Sequence, residues 1–248
     1  MNSVKEHHPN YKCIIIVCDR IENIKLPRNS EFEVLEIHKL NLPNFDDLII
    51  RYNVMELCTA IKPAVFLNLF KSHAANRLIY LDPDIRVYSN FRKLENILNQ
   101  GSLMVLTPHI TTPYQDTKSP TDLDILKAGV FNLGFIAAQN TNEVITFLEW
   151  WAAKLTKMCM SNTKFGVFTD QKWVNFAPCF IDNLYILKDE AYNLAYWNMH
   201  QVELDYDNEW RVNGDALVFF HFSGISFDKN KVFSKHHNRY EIDEKLIL

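Results

Sequence analysis

The feature that most constrains the fold is a succession of short, almost wholly apolar runs: Cys13 to Cys18, Leu78 to Leu81, Leu103 to Thr107, Phe131 to Ala138, Leu184 to Leu187 and Leu217 to Phe222. Apolar runs of about four to eight residues read as strands covered on both faces. Glu33 to Ile37 alternates and adds a further strand. Helical patterns separate them. Ser3 to His8 reads as a helix tail stopped by Pro9 and Asn10. Arg51 to Lys71 repeats apolar residues near helical spacing, with Pro63 inside it as a kink or a second start. Phe91 to Gln100 closes at Gly101, and Thr121 with Asp124 caps a short helix ending at Gly129. Thr141 to Met158 is amphipathic, with Val144, Phe147, Leu148, Trp151 and Leu155 on one face. A further helix is expected over Asp170 to Phe176 and a surface loop over Thr111 to Pro120. Strand alternating with helix predicts an α/β fold, a mostly parallel sheet flanked by helices with Cys13 to Cys18 as a central strand, in one domain over residues 1–248.

Composition narrows the function classes. Of 248 residues, 48% are hydrophobic and 23% charged, as in an ordinary globular chain. The formal net charge of -4, with no basic run, speaks against a nucleic-acid partner. Five scattered cysteines without Cys-x-x-Cys spacing fit small buried residues in a reducing compartment. No apolar run reaches the length of a membrane span, and Met1 to Lys12 is too polar for a signal peptide. A cytoplasmic protein is expected, with peripheral membrane association left open.

The chemistry gathers at a strand end. Leu78 to Leu81 stops at Asp82-Pro83-Asp84, and in open α/β sheets ligands collect beyond the carboxyl ends of strands. Pro83 restricts its own φ and pushes Asp82 toward an extended conformation. Two carboxylates this close repel unless a cation accompanies them, and a divalent ion holding a diphosphate suits that demand. The same residues also fit an Asp-Pro-Asp turn whose carboxylates cap backbone amides. His221, late in an apolar strand, reads either as a core histidine or as a metal ligand; one nitrogen beside two carboxylates favours Mn2+ over Mg2+. Asp170 and Gln171 read as a helix cap or as a grip on substrate hydroxyls. Gly134, mid-strand beside Asn132, marks a bulge or the close approach of a ligand.

Taken together, RLIYLDPDIRVYSNF (Arg77 to Phe91), FNLGFIA (Phe131 to Ala137), DQKWVNFA (Asp170 to Ala177), YNLAYWNMH (Tyr192 to His200) and FHFSG (Phe220 to Gly224) resemble the successive signatures of nucleotide-sugar glycosyltransferases of the GT-A type. The likeness is to bacterial enzymes of surface-polysaccharide synthesis and, more distantly, to glycogenin and the lipopolysaccharide galactosyltransferases, and it runs from about Cys13 to Arg239. It implies metal-dependent transfer of a sugar from a nucleotide-diphosphate donor to a glycan or other hydroxyl acceptor. By the same resemblance, Asp82, Asp84 and His221 hold the metal, and Lys62, Asp82, Asn132, Gly134 and Lys235 serve the donor. Asp170 and Gln171 face the sugar and acceptor, with Asp170 as base if the reaction inverts the anomeric carbon.

Two rivals remain at the level of sequence. Phosphatases of the haloacid dehalogenase superfamily also end a strand in Asp-x-Asp, but usually carry Thr or Val where Arg86 stands, and no late acid pair is found here. The other is a non-catalytic sugar-binding or assembly module derived from a transferase. Members of the resembled family generally open with a strand and helix ahead of the one at Cys13, so the resemblance implies an N-terminally truncated domain. Calorimetry with nucleotide sugars is then expected to give weaker binding for this chain than for one extended upstream, and equal tight binding would contradict it.

Overall fold

Local sequence signals decide where the elements begin. The computed structural model describes residues 1–19, 32–225 and 234–240. The first half holds α1 (Asn2–His7), β1 (Cys13–Val17), β2 (Phe32–Glu36), α2 (Phe45–Arg51), α3 (Val54–Ala60), α4 (Lys62–Ser72), β3 (Arg77–Leu81), β4 (Ile85–Val87), α5 (Arg92–Asn99) and β5 (Met104–Pro108). It continues with α6 (Asp122–Ala128), β6 (Phe131–Gln139), α7 (Asn142–Met158), β7 (Ser161–Asn162), β8 (Val167–Phe168), α8 (Gln171–Val174), α9 (Ala177–Phe180) and β9 (Leu184–Ile186). The strands β10 (Leu204–Asp207), β11 (Glu209–Val212), β12 (Asp215–Ala216) and β13 (Phe219–His221) follow.

Pro63 divides the long helical pattern as its geometry requires: α3 ends at Ala60 and α4 starts at Lys62 with the proline in its first turn. Asn53 caps α3 and Thr121 caps α6, each in a reciprocal box with the acid three residues on. The helix expected over Asp170 to Phe176 is shorter, Gln171–Val174, and Pro178 opens a separate turn of helix in α9.

The central sheet has the order β3-β6-β5-β9. β6 runs antiparallel to both β3 and β5, and β9 parallel to β5. The expectation of a mostly parallel sheet is therefore corrected for these strands. Their continuous apolar sequence reflects cover on both faces, which an antiparallel strand can have as well as a parallel one. β3 and β5, joined through α5, leave a strand position between them, and β6 fills it in the opposite direction. β1 is parallel to β2 as expected, but among the described residues the two pair with each other alone, so β1 is not central.

Alternate side chains divide the core. Ile136 and Ala138 of β6, with Met104 and Leu106 of β5, pack under α3, α4 and α7. Phe135, Ala137 and Val105 face the other way, against α5, β4 and β13. On α7 the residues Val144, Phe147, Leu148, Trp151 and Leu155 are all buried, each burial favouring the fold by about 1.5–3 kcal/mol. Tyr52 secures the end of that helix: its hydroxyl donates to Leu155 O at 2.7 Å and accepts from Cys159 N–H at 2.9 Å. Tyr52→Phe leaves both groups unpaired in the interior and is expected to lower unfolding free energy by about 1–3 kcal/mol, read from urea denaturation.

Candidate functional site

The acid pair sits where β3 stops. Within β3, Leu78 and Tyr80 belong to the core beneath α4, and Ile79 and Leu81 to the opposite one, so the strand is committed on both faces up to the turn. Backbone bonds then hold the turn from both sides. Asp82 N–H donates to Gly134 O of β6 at 2.8 Å, and Phe222 N–H donates to Asp84 O at 2.8 Å. β13 pairs antiparallel with β4, placing His221 opposite Ile85.

That pairing delivers the imidazole to the carboxylates. His221 Nε2 lies 3.1 Å from Asp84 Oδ1 and 3.8 Å from Asp82 Oδ2. One ligand atom from each of the three residues falls within 4.8 Å of the others. His221 is 3% exposed, against 29% for Asp82 and 37% for Asp84, so a buried nitrogen backs two oxygens that reach solvent. Burial would push the Asp84 carboxyl up, but the neighbouring His221 imidazole outweighs it and holds the group below the ordinary carboxylate range. Tyr80 donates to Asp82 Oδ1 at 2.5 Å, which fixes the rotamer of the first acid. Two carboxylates and an imidazole form a donor set suited to a divalent ion with some affinity for nitrogen, so the residues fit such a group.

Gly134 meets the bulge reading made from the sequence. The β5–β6 pairing shifts between Leu106, opposite Ile136, and Thr107, opposite Asn132, so residues 133–135 bulge. The close approach there comes from His221: a Cβ on Gly134 would lie 2.2 Å from its Cε1.

The remaining expected residues form a second group. Lys62, at the start of α4, and Asp170 pair at 2.7 Å with both side chains almost wholly buried. Lys62 Nζ also donates to Leu133 O at 2.7 Å and stands 4.3 Å from the centre of the Tyr80 ring, a cation–π contact. Burial favours neutral Lys62, yet Asp170 first and Asp82 second raise it above its ordinary value and keep it charged. Burial first, with Asp82 beside it, outweighs Lys62 at Asp170 and raises its carboxyl above the ordinary carboxylate range. Asp170 does not cap α8 with its side chain; its carboxylate faces Lys62 and Thr169 Oγ1. Gln171 Nε2 donates to Ala128 O at 3.1 Å. Asn132 is enclosed, bonded to Gly134 N–H, Asn193 and His109. Lys235 is exposed, on a segment tied back to Gly224 O through its own N–H at 3.1 Å.

The sequence reading missed the groups behind His221. Asn193 Oδ1 lies 3.3 Å from His221 Nδ1, and Asn193 is fully buried with φ +57. His109, held down at about 4 by burial, contacts Asn132. Asn193 lies within the YNLAYWNMH block, but an asparagine in an apolar stretch carries no chemical signal until its neighbours are known.

No family model matches the chain. It is 22% identical over 245 residues to the uncharacterized protein YfnD of Bacillus subtilis (strain 168), covering 94% of this chain and 75% of YfnD. It is 24% identical over 172 residues to the uncharacterized protein YfnF of the same organism, covering 68% of this chain and 56% of YfnF. Among solved structures it is similar to the galactosyltransferase LgtC, determined with donor and acceptor sugar analogues: TM-score 0.50 at 13% identity, over 90% of this chain and 81% of that one. The likeness establishes the architecture, an α/β fold of the GT-A glycosyltransferase type.

Because the Lys62–Asp170 pair is buried, Lys62→Met alone leaves an uncompensated carboxylate and is expected to cost about 3–5 kcal/mol of stability in urea denaturation. The double change Lys62→Met with Asp170→Leu should recover most of that loss.

Proposed function

We propose that this chain transfers a sugar from a nucleotide-diphosphate donor to a hydroxyl of a glycan or other acceptor, in a metal-dependent reaction of cell-surface polysaccharide synthesis. The observation that carries this reading is the meeting of Asp82, Asp84 and His221 within 4.8 Å at a strand end of a GT-A type fold. Asp82, Asp84 and His221 would hold the divalent ion, and the imidazole favours Mn2+ over Mg2+. When bound, such an ion neutralises the donor diphosphate and the charge that develops on it as the anomeric bond breaks. Tyr80 keeps Asp82 oriented, and His221 supplies a rigid, desolvated third position. Lys62 and Asp170 offer an electrostatically balanced wall beside the site, with Asp170 and Gln171 steadying sugar and acceptor. Asn132 and Gly134 border the donor sugar, and Lys235 serves the donor phosphates.

The compartment is proposed to be the cytoplasm. Cys13, Cys18, Cys58, Cys159 and Cys179 are free thiols, which fits a reducing environment. No helix among the described residues is long and apolar enough to cross a membrane.

One observation favours a second reading, a non-catalytic sugar-binding or assembly module. Asn132, Asp170 and Gln171 all spend polar atoms on protein partners. A panel of nucleotide sugars with Mn2+ separates the two. The transferase reading expects metal-dependent release of nucleoside diphosphate, falling about 100-fold or more in Asp84→Asn. Sugar binding without release, unaffected by Asp82→Asn, would support the module instead.

A further inference from the structure

Four polar side chains, His109, Asn132, Asn193 and His221, lie in line behind the acid pair. A side-chain amide can be turned either way, and a neutral imidazole can carry its hydrogen on either nitrogen. Such a line has a direction only if something beside it cannot turn. Gly134 provides that: its backbone N–H can only donate, and it donates to Asn132 Oδ1 at 3.0 Å. Asn132 Nδ2 is thereby directed at His109 Nε2, 3.3 Å away, which must accept. Burial keeps His109 neutral, so that nitrogen has a lone pair to give.

The direction passes on through the next amide. Asn193 Nδ2 donates to the same Asn132 Oδ1 at 3.0 Å and to Thr107 Oγ1 at 2.8 Å. Both hydrogens of that amide are then used, and its oxygen faces His221 Nδ1 at 3.3 Å. An amide oxygen can only accept, so Nδ1 carries a hydrogen. The other nitrogen, Nε2, is the one beside Asp84 and Asp82. The backbone of the relay is fastened as well: Asn198 Nδ2 donates to Asn193 O at 3.1 Å, and His221 N–H donates to Leu194 O at 2.8 Å.

We infer that Asn193 and Asn132 are positioning residues that carry the polarity of the Gly134 N–H to His221, fixing a hydrogen on Nδ1 and turning Nε2 toward a divalent cation. The cation rests on the reading proposed above; the placement of the hydrogen does not. A metal-bound imidazole whose outer nitrogen donates to an oxygen is held in one tautomer and one ring orientation, and loss of that partner typically costs about 10- to 100-fold in metal affinity. Asn132 then acts through its neighbours as well as beside the donor.

The direct test is 15N NMR of histidine-labelled protein from pH 6 to 8, with the His221 signals identified by their loss in His221→Gln. At the pH 8 end, with and without Mg2+, the neutral ring is expected to carry its hydrogen on Nδ1 and not on Nε2; the reverse tautomer in the unaltered protein overturns the inference. Asn193→Gly tests the relay itself, since glycine accepts the φ of +57 at that position. It is expected to release Nδ1 from its single state and weaken Mn2+ binding by about 10- to 100-fold in calorimetry. Asn193→Asp keeps an acceptor and should retain the protonated Nδ1. An Asn193→Gly protein with unchanged nitrogen signals and unchanged Mn2+ affinity refutes the relay. If the unaltered protein binds no Mn2+, the proposed function fails, and the nitrogen signals still decide the relay.

Discussion

The site depends on one steric allowance, the seating of the His221 ring on the bare Cα of Gly134. Any side chain there would place Cβ inside the imidazole, 2.2 Å from Cε1 and 2.5 Å from Nδ1. With hydrogen in that place, β13 can lie against the bulge of β6 while pairing with β4. The same stretch of β6 holds Asp82 through the Gly134 carbonyl, and Phe222 N–H holds Asp84. Three side chains from two separate parts of the chain are thus brought together by backbone contacts, which vary less than side-chain rotamers. The imidazole arrives desolvated and oriented, whereas the two carboxylates keep access to water.

Charge is arranged in two compartments, both in contact with Tyr80. On one side the buried Lys62 and Asp170 neutralise each other, with Lys62 Nζ donating also to Leu133 O and Thr169 Oγ1 donating to Asp170 Oδ1. Such a pair adds little net stability relative to apolar residues of the same volume, but it tolerates no loss of either partner. On the other side Asp82 and Asp84 share one imidazole. A bound cation would complete the second compartment as Lys62 completes the first. Tyr80 touches both, through its ring face to Lys62 and its hydroxyl to Asp82.

Much of the fold was legible because its signals are local. Pro63, the Thr121 cap, the apolar stripe of α7 and the alternation in β2 each act within a few residues, and each element formed where its signal stood, whereas the break that Asn53 makes inside the expected helix from Arg51 was not read. Strand direction was not legible. β6 is as apolar as a buried parallel strand and yet antiparallel to both neighbours, because hydrophobicity reports cover and not direction. The acid pair and His221 could be picked out by residue type and position, whereas Asn193 could not. Its role exists only through the neighbours that Thr107, Asn132 and His221 become after folding.

Sequence alone determined which residues could serve a cation. It also determined that a strand would end at them and that position 134 would be free of a side chain, since these are properties of residue type and short-range spacing. Tertiary structure decided how far apart the ligands stand, that Lys62 meets Asp170 rather than solvent, and which nitrogen of His221 faces the acids. Those outcomes rest on contacts between residues separated by many tens of positions, and only the packed core brings such residues within hydrogen-bonding distance.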